Sequence, residues 1–132
     1  MRILIVEDDF TSRKLLQKFL SPYGDCDIAV DGEEAIQAYK TSWVKNEPYD
    51  LICMDIMMPN VDGQEALREI RVIEKDLGIK NPDEVKVIMT TVLDDPKNVF
   101  KALNKGGATS YIVKPISKQT LLEELRKLGL IK

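Results

Sequence analysis

The residues of this sequence best placed to do chemistry are carboxylates that end apolar runs. "ILIV" leads straight into Glu7, Asp8 and Asp9, and "DLICM" leads into Asp55, followed by Ile56, two methionines, a proline and a turn. Two further runs end in Thr90-Thr91 and in Lys114-Pro115. Each feature alone has a plain explanation: an acid after a strand caps the next helix, Thr-Thr is common strand sequence, and Lys-Pro is a common loop dipeptide. Four of them on the ends of four apolar runs point instead to one polar layer. If the first and third runs are neighbours, Glu7, Asp8 and Asp55 share a crevice, where like charges raise one another's pKa unless a cation sits among them. An all-oxygen set of few carboxylates selects a hard divalent ion, Mg²⁺ before Ca²⁺. An ammonium from Lys114 and a hydroxyl from Thr91 beside that ion suit a phosphoryl group.

The chain has 132 residues, 44% of them apolar and 31% charged, which fits one globular domain with a single core. It contains no histidine. Ser-His-Asp and Cys-His catalysis, histidine-bound zinc and a phosphohistidine on this chain are therefore excluded. A net charge of −3 with scattered Lys and Arg argues against direct nucleic-acid binding. No apolar run approaches the ~20 residues that cross a bilayer, so membrane insertion is not expected. Cys26 and Cys53 sit within apolar segments and read as reduced thiols in a cytoplasmic protein.

Positioning the polar layer requires five strands, predicted at 2–6, 26–30, 49–54, 85–91 and 109–113, each followed by a helical pattern. The first and third are almost continuously apolar, as strands covered on both faces are. Asp31 with Glu34, and Asp62 with Glu65, have the spacing of capping boxes; Pro96 fits a first helical turn and Ser117 an N-cap. Gly24, Gly78, Gly106 and Gly129 fall where helices should stop. Helical spacing of apolar residues, such as Leu15, Leu16, Phe19 and Leu20, predicts their buried faces. Regular βα alternation predicts one doubly wound α/β domain with a parallel sheet, its ligand site beyond the carboxyl ends of the strands.

The motifs "ILIVEDD", "DLICMDIMMPNVDG", "VIMTTV" and "GATSYIVKP" together give the sequence a specific resemblance to the receiver domain of two-component response regulators, over residues 1–132. The resemblance implies a flavodoxin-like (βα)5 fold of strand order 2-1-3-4-5. It implies that Asp55 is the phosphoacceptor, taking a phosphoryl group from a sensor histidine kinase, a phosphotransfer protein or a small phosphodonor. Mg²⁺ would be held by Glu7, Asp8, Asp55 and the backbone carbonyl of Met57. Thr91 and Lys114 would contact phosphoryl oxygens, Tyr111 would be the switch residue, and the Lys114–Pro115 bond would be cis.

Two departures bear on these roles. Val92 stands where a small residue is usual, and the stretch from Thr91 to Gly107 is one residue longer than usual, which leaves Thr90 as the alternative switch hydroxyl. Met57 and Leu93, both apolar, occupy the positions that flank the attacking water, which implies slow self-dephosphorylation. With no second domain read after Lys132, the output is expected through contact with a downstream protein. Lys97, Lys101 and Lys105 form a basic stripe beside Tyr111 that would receive an acidic partner, and the chain is expected as a monomer or a phosphorylation-dependent dimer. The rival reading is a Mg²⁺-dependent phosphatase of the haloacid-dehalogenase type. Met57 opposes it, because that chemistry needs a second acid two residues after the nucleophile.

Overall fold

Apolar runs with two buried faces demand cover on both sides, and the computed structural model supplies it. The structure describes residues 1–58, 60–80, 82–92, 97 and 107–132. Expectations for Pro96, Leu93, Lys101, Lys105 and Gly106 lie outside these residues. The elements are β1 (Arg2–Val6), α1 (Phe10–Leu20), β2 (Asp25–Ala29), α2 (Gly32–Val44), β3 (Leu51–Asp55), α3 (Gly63–Asp76), β4 (Lys86–Thr91), β5 (Ser110–Val113) and α4 (Lys118–Lys127). All strand pairs are parallel and the sheet order is β2-β1-β3-β4-β5, as the resemblance implied.

Strand alternation sorts the core into two layers. Leu4, Val6, Ile52, Met54, Val87 and Met89 pack on α2 and α3 through Tyr39, Leu67 and Ile70. Ile3, Ile5, Leu51, Cys53, Ile88 and Ile112 pack on α1 and α4 through Leu16, Leu20, Leu121 and Leu125. Leu15, expected on the buried face, is exposed: its neighbours at i+1 and i+5 take the contact with the sheet. Both cysteines are free thiols, Cys53 fully buried and Cys26 half-buried on the edge strand.

The strand expectations hold with shifts of one or two residues. β2 begins and ends one residue early, and β3 runs Leu51–Asp55, although the main chain of Asp50 already bonds to Arg2 of β1 and to Lys86 of β4. Asp31, Asp62 and Ser117 cap their helices by accepting from the backbone N–H three residues on. In the first of these, Glu34 reaches back to the N–H of Val30, one residue beyond the N-cap that a closed box would bond. Gly78 and Gly129 adopt positive φ after α3 and α4. Gly24 instead closes a 3₁₀ turn in an extended conformation, where a side chain would overlap the backbone of Met1.

At the end of the sheet where β4 begins, Glu74 is fully buried and satisfied. It accepts from Tyr39 Oη at 2.8 Å, Val85 N at 2.7 Å and Arg71 Nη1 at 2.6 Å. Arg71 also donates to the carbonyls of Val85 and Gly107, so one ion pair joins α2, α3, β4 and the approach to β5. Removing the acid leaves the buried Tyr39 hydroxyl and Val85 N–H without their acceptor and takes from Arg71 its counter-charge, although Arg71 keeps its bonds to the carbonyls of Val85 and Gly107. Glu74→Ala is expected to cost about 3 kcal/mol, and Tyr39→Phe about 1 kcal/mol, in urea unfolding.

Candidate functional site

The three Asp/Glu residues after β1 take different roles. Asp9 is the N-cap of α1: its carboxylate accepts from the Ser12 N–H at 2.9 Å, and that bond holds its pKa below the usual range. Glu7 and Asp8 turn instead towards β3. Carboxylate oxygens of Glu7, Asp8 and Asp55 lie within 4.8 Å of one another. Glu7 is fully buried, Asp55 is 6% exposed, and Asp8 faces solvent. The ring of Phe10 and the guanidinium of Arg13 stack beside this turn, and Arg13 Nη1 donates to the Glu7 carbonyl at 3.1 Å.

Lys114 arrives from the end of β5, next to a cis bond to Pro115. Its ammonium lies 2.6 Å from Glu7 Oε1 and 3.4 Å from Asp55 Oδ2. Burial disfavours that charge, but the two acids outweigh burial and the Lys114 pKa is raised. Burial, then the hydrogen-bonding contact with Asp55, pushes the Glu7 carboxyl up from 4.5 to about 7, against the pull of Lys114. One ammonium is too little for three carboxylates, so the site carries a surplus of negative charge.

The donor set fits a hard cation. Glu7 Oε2 is buried with no hydrogen-bond partner among the described residues, an arrangement that buried carboxylates avoid unless something else meets them. Every side-chain donor is oxygen, and one acid opens to solvent, which leaves room for water ligands.

The loop after β3 is built tightly. The N–H of Met57 donates to Asp55 Oδ1 at 3.2 Å, while that of Ile56 donates to the Thr90 carbonyl. Asn60 has φ 64°, and α3 begins at Gly63, where a Cβ would overlap the carbonyl oxygen of Asp55. Gly63 was not singled out from sequence; the "DG" pair was its only local signal, and it reads first as a turn. Arg13 was missed too, since nothing in its spacing announces a bond back to the main chain at Glu7.

The hydroxyls and the aromatic residue are not drawn into the acid cluster. Thr91 is buried and its Oγ1 donates to the Val92 carbonyl at 3.3 Å. Thr90 stands opposite Asp55 in the strand register, with a buried Oγ1 that has no partner among the described residues. Tyr111 is 41% exposed, facing outward, and Met57 and Val92 are exposed around the site.

A parallel 2-1-3-4-5 sheet with clustered acids and a lysine at its carboxyl edge defines a doubly wound domain whose site lies beyond the strand ends. The chain belongs to the response regulator receiver domain family, whose model matches residues 3–126. It is 36% identical over 126 residues to the chemotaxis protein CheY of Treponema pallidum, covering 94% of this chain and 79% of the relative. It resembles a chain in the co-crystal of the Saccharomyces cerevisiae phosphotransfer protein Ypd1 with the receiver domain of Ssk1 (TM-score 0.83, 28% identity, 98% of this chain and 88% of that one). It also resembles a chain of the CheX–CheY–BeF3–Mg²⁺ complex of Borrelia burgdorferi (TM-score 0.82, 29% identity, 100% and 90%). The chain spans only 9% and 6% of two histidine kinases among its curated relatives. It is thus a receiver domain of two-component systems, a signalling module.

Raised above its unfolded value, the Glu7 pKa means that the folded chain keeps a proton which the unfolded chain has released. This contribution to stability is full below about 4.5 and lost as pH rises to about 7. In metal-free buffer the melting temperature should fall by roughly 5 °C between about pH 5 and pH 8, and Glu7→Gln should flatten that slope.

Proposed function

We propose that Asp55 is the phosphoacceptor of this receiver, charged by a histidine kinase or a phosphotransfer protein, or by a small acyl phosphate. An Asp55 carboxylate oxygen attacks phosphorus, the bond from phosphorus to the donor's nitrogen or oxygen breaks, and an acyl phosphate forms on Asp55. The observation that carries this reading is the convergence of Glu7, Asp8 and Asp55 within 4.8 Å beside Lys114. Glu7, Asp8 and Asp55, with the main-chain carbonyl of Met57, are the residues that would hold Mg²⁺. Bound there, the ion supplies neutralisation of the charge on the transferring oxygens.

Lys114, now held between Glu7 and Asp55, would pair with a phosphoryl oxygen on Asp55. Thr91 is assigned from its motif as the hydroxyl that meets another, with Tyr111 turning inward as it moves. Thr90, opposite Asp55 and with an unspent hydroxyl, is the second candidate. The apolar strand β3, buried throughout, keeps Asp55 from reorienting, so the attacking oxygen is positioned before the donor arrives.

The complexes of similar chains with Ypd1, a histidine phosphotransfer protein, and with CheX support partners that are proteins. A cytoplasmic location accords with the free thiols, and no helix among the described residues is long and apolar enough to cross a membrane. The phosphatase alternative gains no support, because Met57 occupies the place its general acid would need.

Incubation with acetyl phosphate and Mg²⁺, read by intact mass, should add one phosphoryl group to the parent and none to Asp55→Asn. A phosphorylated Asp55→Asn, or catalytic release of phosphate from an external ester, would overturn the assignment. Met57 is exposed and apolar at the position where a water-orienting side chain would act. Met57→Asn should therefore release phosphate faster than the parent; equal rates would show that this position does not limit hydrolysis.

A further inference from the structure

Far from the acids, the C-terminal turns of α2 and α3 lie side by side. The chain after α2 is tied to the start of β1, where Arg2 Nε donates to the Glu47 carbonyl, and α3 is tied to the start of β4 through Glu74. This face is therefore at the end of the sheet opposite Asp55. Between the helices runs a groove of about 520 Å³ lined by Lys40, Trp43, Val44, Ile73, Asp76 and Leu77. Val44 is 87% exposed and Leu77 55% exposed, next to an indole. Scattered apolar residues on a surface are ordinary, but a groove with a projecting valine at its edge is a contiguous apolar feature.

The charges on the groove indicate what covers it. Lys40 stands on the α2 wall and Asp76 on the α3 wall, and neither has an ion-pair partner among the described residues. A twofold contact requires that if residue i meets residue j, then j meets i. This surface satisfies that requirement twice. It carries a knob, Val44, beside a hole, and one charge of each sign on opposing walls. A surface for an unlike partner has no need to present both halves of each pair.

We propose that this groove is an isologous interface between two copies of the chain. Val44 of each copy enters the other's groove, and Lys40 of each pairs with Asp76 across the twofold axis. The contact leaves the acid cluster open at the far end of both copies, so it is compatible with phosphotransfer and independent of phosphorylation.

Trp43, the sole tryptophan, lines the groove and reports on it directly. Sedimentation equilibrium of the unphosphorylated chain should show a monomer–dimer equilibrium, with Trp43 emission shifting to the blue as concentration rises. Val44→Glu should raise the dissociation constant by ~10-fold or more, as loss of a central contact does. Lys40→Glu should weaken the dimer, and the double exchange Lys40→Glu with Asp76→Lys should restore it. All three positions are exposed or on the rim, and circular dichroism checks that the variants stay folded. A chain that stays monomeric at the highest attainable concentration overturns the proposal, including the case in which a different protein fills the groove. So does a dimer indifferent to Val44→Glu, or a double exchange that fails to restore pairing.

Discussion

The organisation of this molecule depends on repulsion that is left unresolved. Three carboxylates are held within reach of one another at the carboxyl edge of the sheet, and Lys114 offsets only part of their charge. Such a cluster persists only because the strands beneath it are anchored elsewhere. β1 and β3 are buried on both faces by two separate apolar layers, so neither Glu7 nor Asp55 can retreat into solvent, as Asp8 does, without pulling core residues with it. The fold supplies the stability that the site gives up, a trade common at functional sites.

The two fully buried glutamates show the difference between a structural acid and a poised one. Glu74, near the start of β4, receives three donors and closes a network of four elements. Glu7, at the end of β1, has one ammonium on one oxygen and no donor on the other among the described residues, with only the carboxylates of Asp8 and Asp55 close by. Burial is the same, but satisfaction is not. Unmet hydrogen-bonding capacity in a dry, negatively charged crevice is what buried carboxylates otherwise avoid, and it is the feature on which the proposed Mg²⁺ site of this receiver rests. The opposite ends of one sheet are thereby specialised, one for rigidity and the other for chemistry.

The loops around Asp55 show how little local freedom remains. The main chain turns back so closely after β3 that the first residue of α3 must be Gly63, against the Asp55 carbonyl. Met57 contributes a main-chain N–H to the carboxylate while its side chain points to solvent. A soft side chain can therefore follow a cluster of carboxylates without entering it.

Much of this was legible in the residues alone. Continuous apolar runs located β1 and β3, and Asp31, Asp62 and Ser117 announced three helix starts, because capping acts within three or four residues and leaves its mark in spacing. Acids at strand ends marked the edge that would carry the site. Sequence set Glu7 and Asp8 apart for the site but did not single out Asp9 as the cap of α1, nor foresee that Leu15 would face water, since each depends on how the chain leaves the sheet. Only the tertiary structure set Lys114 against Glu7, 107 positions away, and joined Arg71 to Gly107. Contacts of that range follow from strand order and the crossing of elements, which neighbouring residues do not encode, so the identity of the reactive groups was written locally and their mutual distances were not.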